Sequence, residues 1–335
     1  MKASKLAWTA PLIALLCGFF ALGLGRYSIP VPETLRALGA GLGLPVQASQ
    51  NAVQVLMSMR LPRVLLAMAV GAGLSAAGCA FQSLFANPLA TPDTLGVASG
   101  ASFGAALALL LGFGFAGVQA TAFAAGLGAV ALTYLAGRPS AGSGDARNTV
   151  VLAGIMIGSL FSALVSLVKF TADTESELPA ITYWLMGSLS GKGWRTLAMG
   201  VPVILAGLLV LLVLRWRMNL LPLPEDEARA AGTNIRALRI AVILASTAMT
   251  AACVSMCGQV GWVGLLVPHM CRMLLGSDHR RLLPATIWIG AAFMVAVDTL
   301  ARTITAAEIP ISILTAILGA PFFILLMRRK GGWRL

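Results

Sequence analysis

FQSLFANPLATPDTLGVASGA (residues 81–101) is the stretch on which the reading turns. An apolar run stops at Asn87-Pro88, restarts after Thr91-Pro92-Asp93, and continues as a helix of small residues. Proline lacks a backbone N–H and clashes with the preceding turn, so Pro88 and Pro92 end one helix and shape the start of the next. Asp93 or Thr91 can cap the new helix by accepting its free N–H groups. A plain turn would look like this, and so would a movable junction between two helices.

The rest of the chain says what those helices cross. Of 335 residues, 58% are hydrophobic and only 11% charged, with mean hydropathy +0.88. Soluble domains carry about 25% charged residues. Several apolar runs reach the ~18–20 residues needed to cross a ~30 Å hydrocarbon core. The chain therefore reads as an all-α, polytopic membrane protein forming one transmembrane domain over residues 1–335, with no sizeable soluble domain. Its net charge of +12 sits at the ends of apolar runs, which is how membrane proteins set orientation, so nucleic acid is not an expected partner.

Ten spans are expected at 6–25, 62–83, 93–112, 115–136, 149–169, 195–215, 239–258, 262–275, 284–303 and 311–327. With the N-terminus inside, sixteen Lys and Arg residues fall on the cytoplasmic side and eight outside. That bias, with an even number of spans, puts both termini in the cytoplasm. The first run is too long for a signal-peptide core and lacks a clear cleavage site, so it is expected to be retained. Small residues in VGAGLSAAG (70–78) suit close helix contact, internal or between copies. The five cysteines form no C-x-x-C pair, and no metal site is expected; Cys253 and Cys257 share a helix face.

Three further stretches stand out. In RWRMNLLPLPEDEARAAGTNIRALR (215–239), Pro224 followed by Glu225, Asp226 and Glu227 starts a helix, with acids where the helix dipole favours them. Gly232 and Asn234 suit its end. An interfacial helix resting on lipid fits this pattern, and so does a docking element for a cytosolic partner. GQVGWVGLLVPHMCRMLLGSDHRRLLPA (258–285) carries His269 and Asp278-His279; His269 reads either as a proton relay or as a helix-terminal hydrogen-bonder. Arg60, Arg63 and Arg302 gather at the outer side, with Asp298 one turn before Arg302. They can anchor helix ends or receive acidic groups from an external protein. A phosphate-binding G-x-x-x-x-G-K-[ST] loop is missing; GSLSGKG (187–193) is one residue short and lacks the Ser/Thr. The chain is therefore not expected to be an enzyme.

Taken together, RLPRVLLAMAVGAGLSAAGCAFQSLFANPLATPDTLGVASGA, NLLPLPEDEARAAGTNI, GWVGLLVPHMCRMLLGSDHRRLLP and EIPISILTAILGAPFFILLMRR resemble the iron-chelate uptake permease family. These are the permease subunits of ATP-binding-cassette importers for iron–siderophore, haem and cobalamin. The resemblance runs from about residue 20 to the C-terminus. It implies a ten-span homodimer in a bacterial inner membrane that works by alternating access, with two ATPase subunits and an extracytoplasmic binding protein. The ATPases would hold ATP and Mg, leaving no cofactor in this chain. They would couple at about 216–238, through Asn219, Leu221, Pro222, Glu225, Ala228, Arg229 and Gly232. The binding protein would dock on Arg60, Arg63 and Arg302, and Asn87, Leu89, Arg147 and Asn148 would form the cytoplasmic gate. Iron–siderophore leads as the family's commonest cargo, with haem, cobalamin and molybdate open. Two other readings stand beside this one: an ion-coupled secondary transporter, which needs ionisable residues lining the mid-membrane and for which Asp298 alone is thin support, and a membrane enzyme built on His269 and Asp278-His279.

Overall fold

The structure, a computed structural model, describes residues 2–25, 27–137 and 146–328. It is helical throughout, with no strand among the described residues. α1 (Lys2–Gly23) is followed by two short helices, α2 (Val31–Gly41) and α3 (Gln50–Val55). A wide turn at Leu56–Arg60 carries α3 directly into α4 (Leu61–Leu84). A 3-10 turn at Pro92–Leu95 precedes α5 (Val97–Leu110). The chain continues through α6 (Phe115–Ala136), α7 (Ala146–Thr171), α8 (Glu177–Leu185) and α9 (Trp194–Leu214). A second 3-10 turn (Arg217–Leu220) leads to α10 (Glu225–Ala230). Then come α11 (Ile235–Cys257), α12 (Val263–Leu275), α13 (His279–Thr303) and α14 (Ile311–Arg328).

Among the described residues, six helical stretches are long and apolar enough to cross a membrane: Gln50–Leu84, Phe115–Ala136, Thr149–Thr171, Trp194–Leu214, Ile235–Cys257 and His279–Thr303. The other four expected spans are shorter apolar helices, Thr9–Gly23, Val97–Leu110, Val263–Leu275 and Ile311–Leu325. The third span starts at Val97 rather than at residue 93, because Gly96 adopts φ +75° and breaks the 3-10 turn from α5. Such a left-handed backbone carries no steric penalty only at glycine. Across that break the Asp93 carboxylate takes the backbone N–H groups of Ala98 and Ser99. These are two of the donors a helix start leaves open. The short helices α2, α3 and α8 are not among the expected spans, since all are too short to cross a membrane.

α4 is the centre of the bundle, buried along most of its length, and it runs antiparallel to α13. Small residues make this possible. A methyl group on Gly71 would lie 2.2 Å from the Gly290 oxygen in α13, and one on Gly78 would lie 1.7 Å from the Gly264 oxygen in α12. The glycine face of 70–78 is therefore spent on packing inside one chain. In lipid, where apolar surface gains little from meeting apolar surface, such backbone contact is what holds helices together. Cys253 and Cys257 lie buried within α11, and the Cys257 thiol donates to the Cys253 oxygen at 3.0 Å. His269 sits mid-way along α12 with its ring 5.6 Å from that of Phe323, not at a helix end.

Candidate functional site

At the end of the bundle expected to face the cytoplasm, the segment after α9 is pinned by its apolar residues. Met218, Leu221 and Ala228 are fully buried. Pro222, Asp226, Glu227, Arg229 and Gly232 face outward. The Glu225 side chain lies outside the described residues. Gly232 turns the chain at φ +71°, and Asn234 then caps α11, its Oδ1 accepting the Ala237 N–H at 3.0 Å. Of the seven residues assigned to ATPase coupling, Leu221 and Ala228 are buried and anchor the segment, while Pro222, Arg229 and Gly232 share its exposed face with Asp226 and Glu227.

Asn219 ties this segment to the start of α13. Its Nδ2 donates to Asp278 Oδ1 at 2.9 Å, and its Oδ1 accepts both the backbone N–H of His279 at 2.9 Å and ring Nδ1 at 2.8 Å. The other ring nitrogen, Nε2, lies 2.5 Å from Ser83 Oγ on α4. Asp278 caps α13 by accepting the Arg280 N–H at 3.0 Å. Burial would raise its carboxyl, but the bonds from Arg280 and Asn219 hold it below the usual carboxylate range.

The link that opened the sequence analysis leaves α4 here. Ala86 N–H donates to Ser83 O at 3.3 Å and Asn87 N–H to Gln82 O at 3.1 Å. That paired pattern closes a helix through a left-handed residue, usually glycine. Here the residue is Ala86, at φ +47°. Asn87 and Leu89 are exposed, and Asn87 Oδ1 accepts the Leu89 N–H at 2.9 Å. The side chains of Arg147 and Asn148 lie outside the described residues. Their helix, α7, packs on the same link two turns further on, where a methyl on Gly154 would lie 2.0 Å from Thr94 O.

At the opposite end the three arginines meet. Arg60 donates to the Leu22 and Gly23 oxygens at 2.7 and 3.1 Å and to the Tyr27 oxygen. Arg302 donates to the Ala21 and Leu24 oxygens, each at 2.5 Å. Two guanidinium groups, each on a residue 8% exposed, thereby satisfy the carbonyls that the end of α1 leaves without partners. Arg63 is held by two acids. Its Nε and Nη2 reach Asp298 Oδ1 at 3.0 and 2.9 Å, and its Nη1 and Nη2 reach the Glu308 oxygens at 2.8 and 2.9 Å. Asp298 is thus chiefly the partner of Arg63, with Arg302 Nε 3.6 Å from its other oxygen. Glu308 and Lys192 were not singled out from sequence, because each is brought here from a loop. Lys192 lies with its ammonium 4.7 Å above the Phe115 ring. Together with the three arginines, these two residues border a cavity of about 590 Å³.

The model of the FecCD transport family matches residues 13–329. The chain belongs to the FecCD transport family. Among its relatives is a Haemophilus influenzae protein named as a molybdate import system permease, 42% identical over 98% of this chain and 97% of its own. A Halobacterium salinarum cobalamin import permease is 38% identical over 90% and 80%, and a Yersinia pestis hemin transport permease 37% identical over 82% and 83%. A solved metal-chelate type ABC transporter in an inward-facing conformation superposes with a TM-score of 0.87 at 41% identity, over 97% of this chain and 99% of that one. This FecCD-family chain is therefore a multi-span ABC permease.

Proposed function

We propose that this chain is the permease of an ATP-binding-cassette importer in a bacterial cytoplasmic membrane, working as a homodimer. Two separate ATPase subunits bind the exposed face of residues 216–238 and carry the ATP and Mg. An extracytoplasmic binding protein delivers cargo to the face where Arg60, Arg63 and Arg302 gather. The observation that carries this reading is the platform around α10. It is anchored by Leu221 and Ala228, presents Asp226, Glu227 and Arg229, and is joined through Asn219 and His279 to Ser83 near the end of α4. Movement of that platform on ATP binding would open and close a pathway through the dimer in alternation, the link at Asn87 and Leu89 serving as its cytoplasmic gate.

For the cargo we place an oxyanion of the molybdate class first, with iron–siderophore, haem and cobalamin chelates behind it. The support is the molybdate permease relative, aligned over nearly the whole of both chains. An ion-coupled carrier is disfavoured because Asp298, its candidate acid, is clamped by Arg63 at one end of the bundle.

The decisive experiment reconstitutes the chain in liposomes with its ATPase and binding protein. ATP hydrolysis is then measured with molybdate, iron–siderophore, haem and cobalamin in turn. Stimulation by one loaded binding protein supports the importer and names the cargo. Uptake of any of them without an ATPase would overturn it.

A further inference from the structure

The hydrogen bonds of His279 join parts of the molecule that the importer reading places at the two ends of its power stroke. Asn219 belongs to the segment proposed to receive the ATPase, and Ser83 lies three residues before Ala86, at the end of the helix that carries the gate. Between them stands one imidazole, 2.8 Å from Asn219 Oδ1 and 2.5 Å from Ser83 Oγ. The chemistry fixes the direction of each bond. Asn219 turns its Nδ2 to the Asp278 carboxylate, so its Oδ1, which can only accept, faces the ring. Nδ1 therefore carries a hydrogen, and Nε2 of the neutral ring is an acceptor that takes the Ser83 hydroxyl hydrogen. That same hydroxyl also lies 3.0 Å from the Cys79 oxygen, yet it has only one hydrogen to give. Ser83 thus has two alternative acceptors, one within its own helix and one on the ring that the coupling segment holds.

The neighbouring contacts leave the end of α4 gripped from one side and strained on the other. Arg272 of α12 reaches Gln82 Oε1 at 3.3 Å, and Gln82 Nε2 reaches Leu265 O at 3.3 Å. The carbonyls of Gln82 and Ser83 receive the N–H groups of Asn87 and Ala86. Ala86 closes the helix in a left-handed conformation, at φ +47°, in which the Cβ of an L-residue crowds the carbonyl oxygen that follows it. Such strain persists only where the surroundings impose it.

We propose that Asn219, His279 and Ser83 are positioning residues that transmit movement of the ATPase-docking segment to the gate at Asn87, an inference that rests on the importer reading. A shift of Asn219 draws the imidazole, Ser83 exchanges His279 for Cys79 as its acceptor, and the strained turn at Ala86 is released.

The test uses the full chain assembled with its ATPase, carrying Asn87→Cys. Maleimide labelling is followed with and without ATP and Mg, above the background of the native cysteines. Ser83→Ala removes one hydroxyl. His279→Asn keeps a donor for Asn219 but is too short to reach Ser83, so it separates a brace for the start of α13 from a link to α4. In the Asn87→Cys chain, ATP changes the labelling rate at least fivefold. With Ser83→Ala or His279→Asn added, the ATPase still co-purifies and the change falls below twofold; the double variant is no worse than either single one. A full ATP response in both variants overturns the proposal, as does no ATP response in the Asn87→Cys chain with the ATPase bound. Loss of ATPase association in the variants overturns it too, by making the residues a docking brace. Failure of the ATPase to bind the chain without these substitutions sinks the importer reading itself, and the link with it.

Discussion

Arg63 on α4 grips Asp298 on α13 through two nitrogens, at 2.9 and 3.0 Å, while Ser83 at the far end of α4 meets His279 at the start of α13. Twenty residues of helix separate Arg63 from Ser83, a rise of about 30 Å, the thickness of a hydrocarbon core. One antiparallel pair thus carries a polar lock at each membrane face, with glycine contact between them. The outer lock is charged and the inner one neutral.

The outer lock is expected to dominate stability. Asp298 is 1% exposed, so Asp298→Asn leaves Arg63 and Arg302 short of their buried counter-charge and costs about 3–5 kcal/mol. Glu308 keeps a quarter of its side chain exposed, and Glu308→Gln costs about 1 kcal/mol or less. Thermal unfolding in detergent checks the order. Equal losses would show that Asp298 is not the buried partner.

Arg63 also separates docking from anchoring. Arg63→Gln lowers thermal stability in either case. If the outer face receives an acidic binding protein, affinity for that protein falls as well, and most at low ionic strength, where exposed charges are least screened. Unchanged affinity across salt would confine Arg63 to its internal role.

Glycine contacts give a sharper contrast. Gly78→Ala puts a methyl 1.7 Å from the Gly264 oxygen and is expected to destabilise by about 1–3 kcal/mol or more. Gly128→Ala meets nothing within 4 Å and gains up to about 1 kcal/mol of helix propensity. Melting temperatures that move in opposite directions would bear this out.

At the platform, reversing the exposed acids with Asp226→Arg and Glu227→Arg is expected to abolish ATPase co-purification while the chain stays folded. Ala228→Glu, in contrast, forces a carboxylate into a fully buried site and is expected to unfold the segment itself. Limited proteolysis between residues 215 and 235 distinguishes the two outcomes. Retained ATPase binding in the acid-reversed chain would move the docking face elsewhere.

Ala86→Gly offers a test of the strained turn. Removing the Cβ at φ +47° relieves up to about 1 kcal/mol. The variant is therefore expected to melt higher and to let Asn87→Cys label faster in the absence of ATP. An unchanged melt would mean that the turn stores no strain.

Much of this molecule is legible along the chain, and the reason is the solvent. Lipid demands long apolar helices, so the runs bounding α6, α9, α11 and α14 declare themselves within a residue or a few of where they lie. Pro224-Glu225 marks a real helix start and Pro92-Asp93 the 3-10 turn ahead of α5, because capping is chemistry between near neighbours. The break after α9, the link at Asn87 and the family likeness are equally local. What the one-dimensional pattern could not carry is pairing at distance. Asp298 lies one turn from Arg302, yet it is held chiefly by Arg63, 235 residues away. Arg60 and Arg302 read as anchors of helix ends or receivers of external acids, and only the fold shows that the end they hold is that of α1, more than thirty residues away for one and about 280 for the other. His279 reads as a loop residue beside two arginines and becomes the joint between Asn219 and Ser83. Local backbone rules set the helices; burial and the need to satisfy every polar group inside the bundle decided which side chains hold one another.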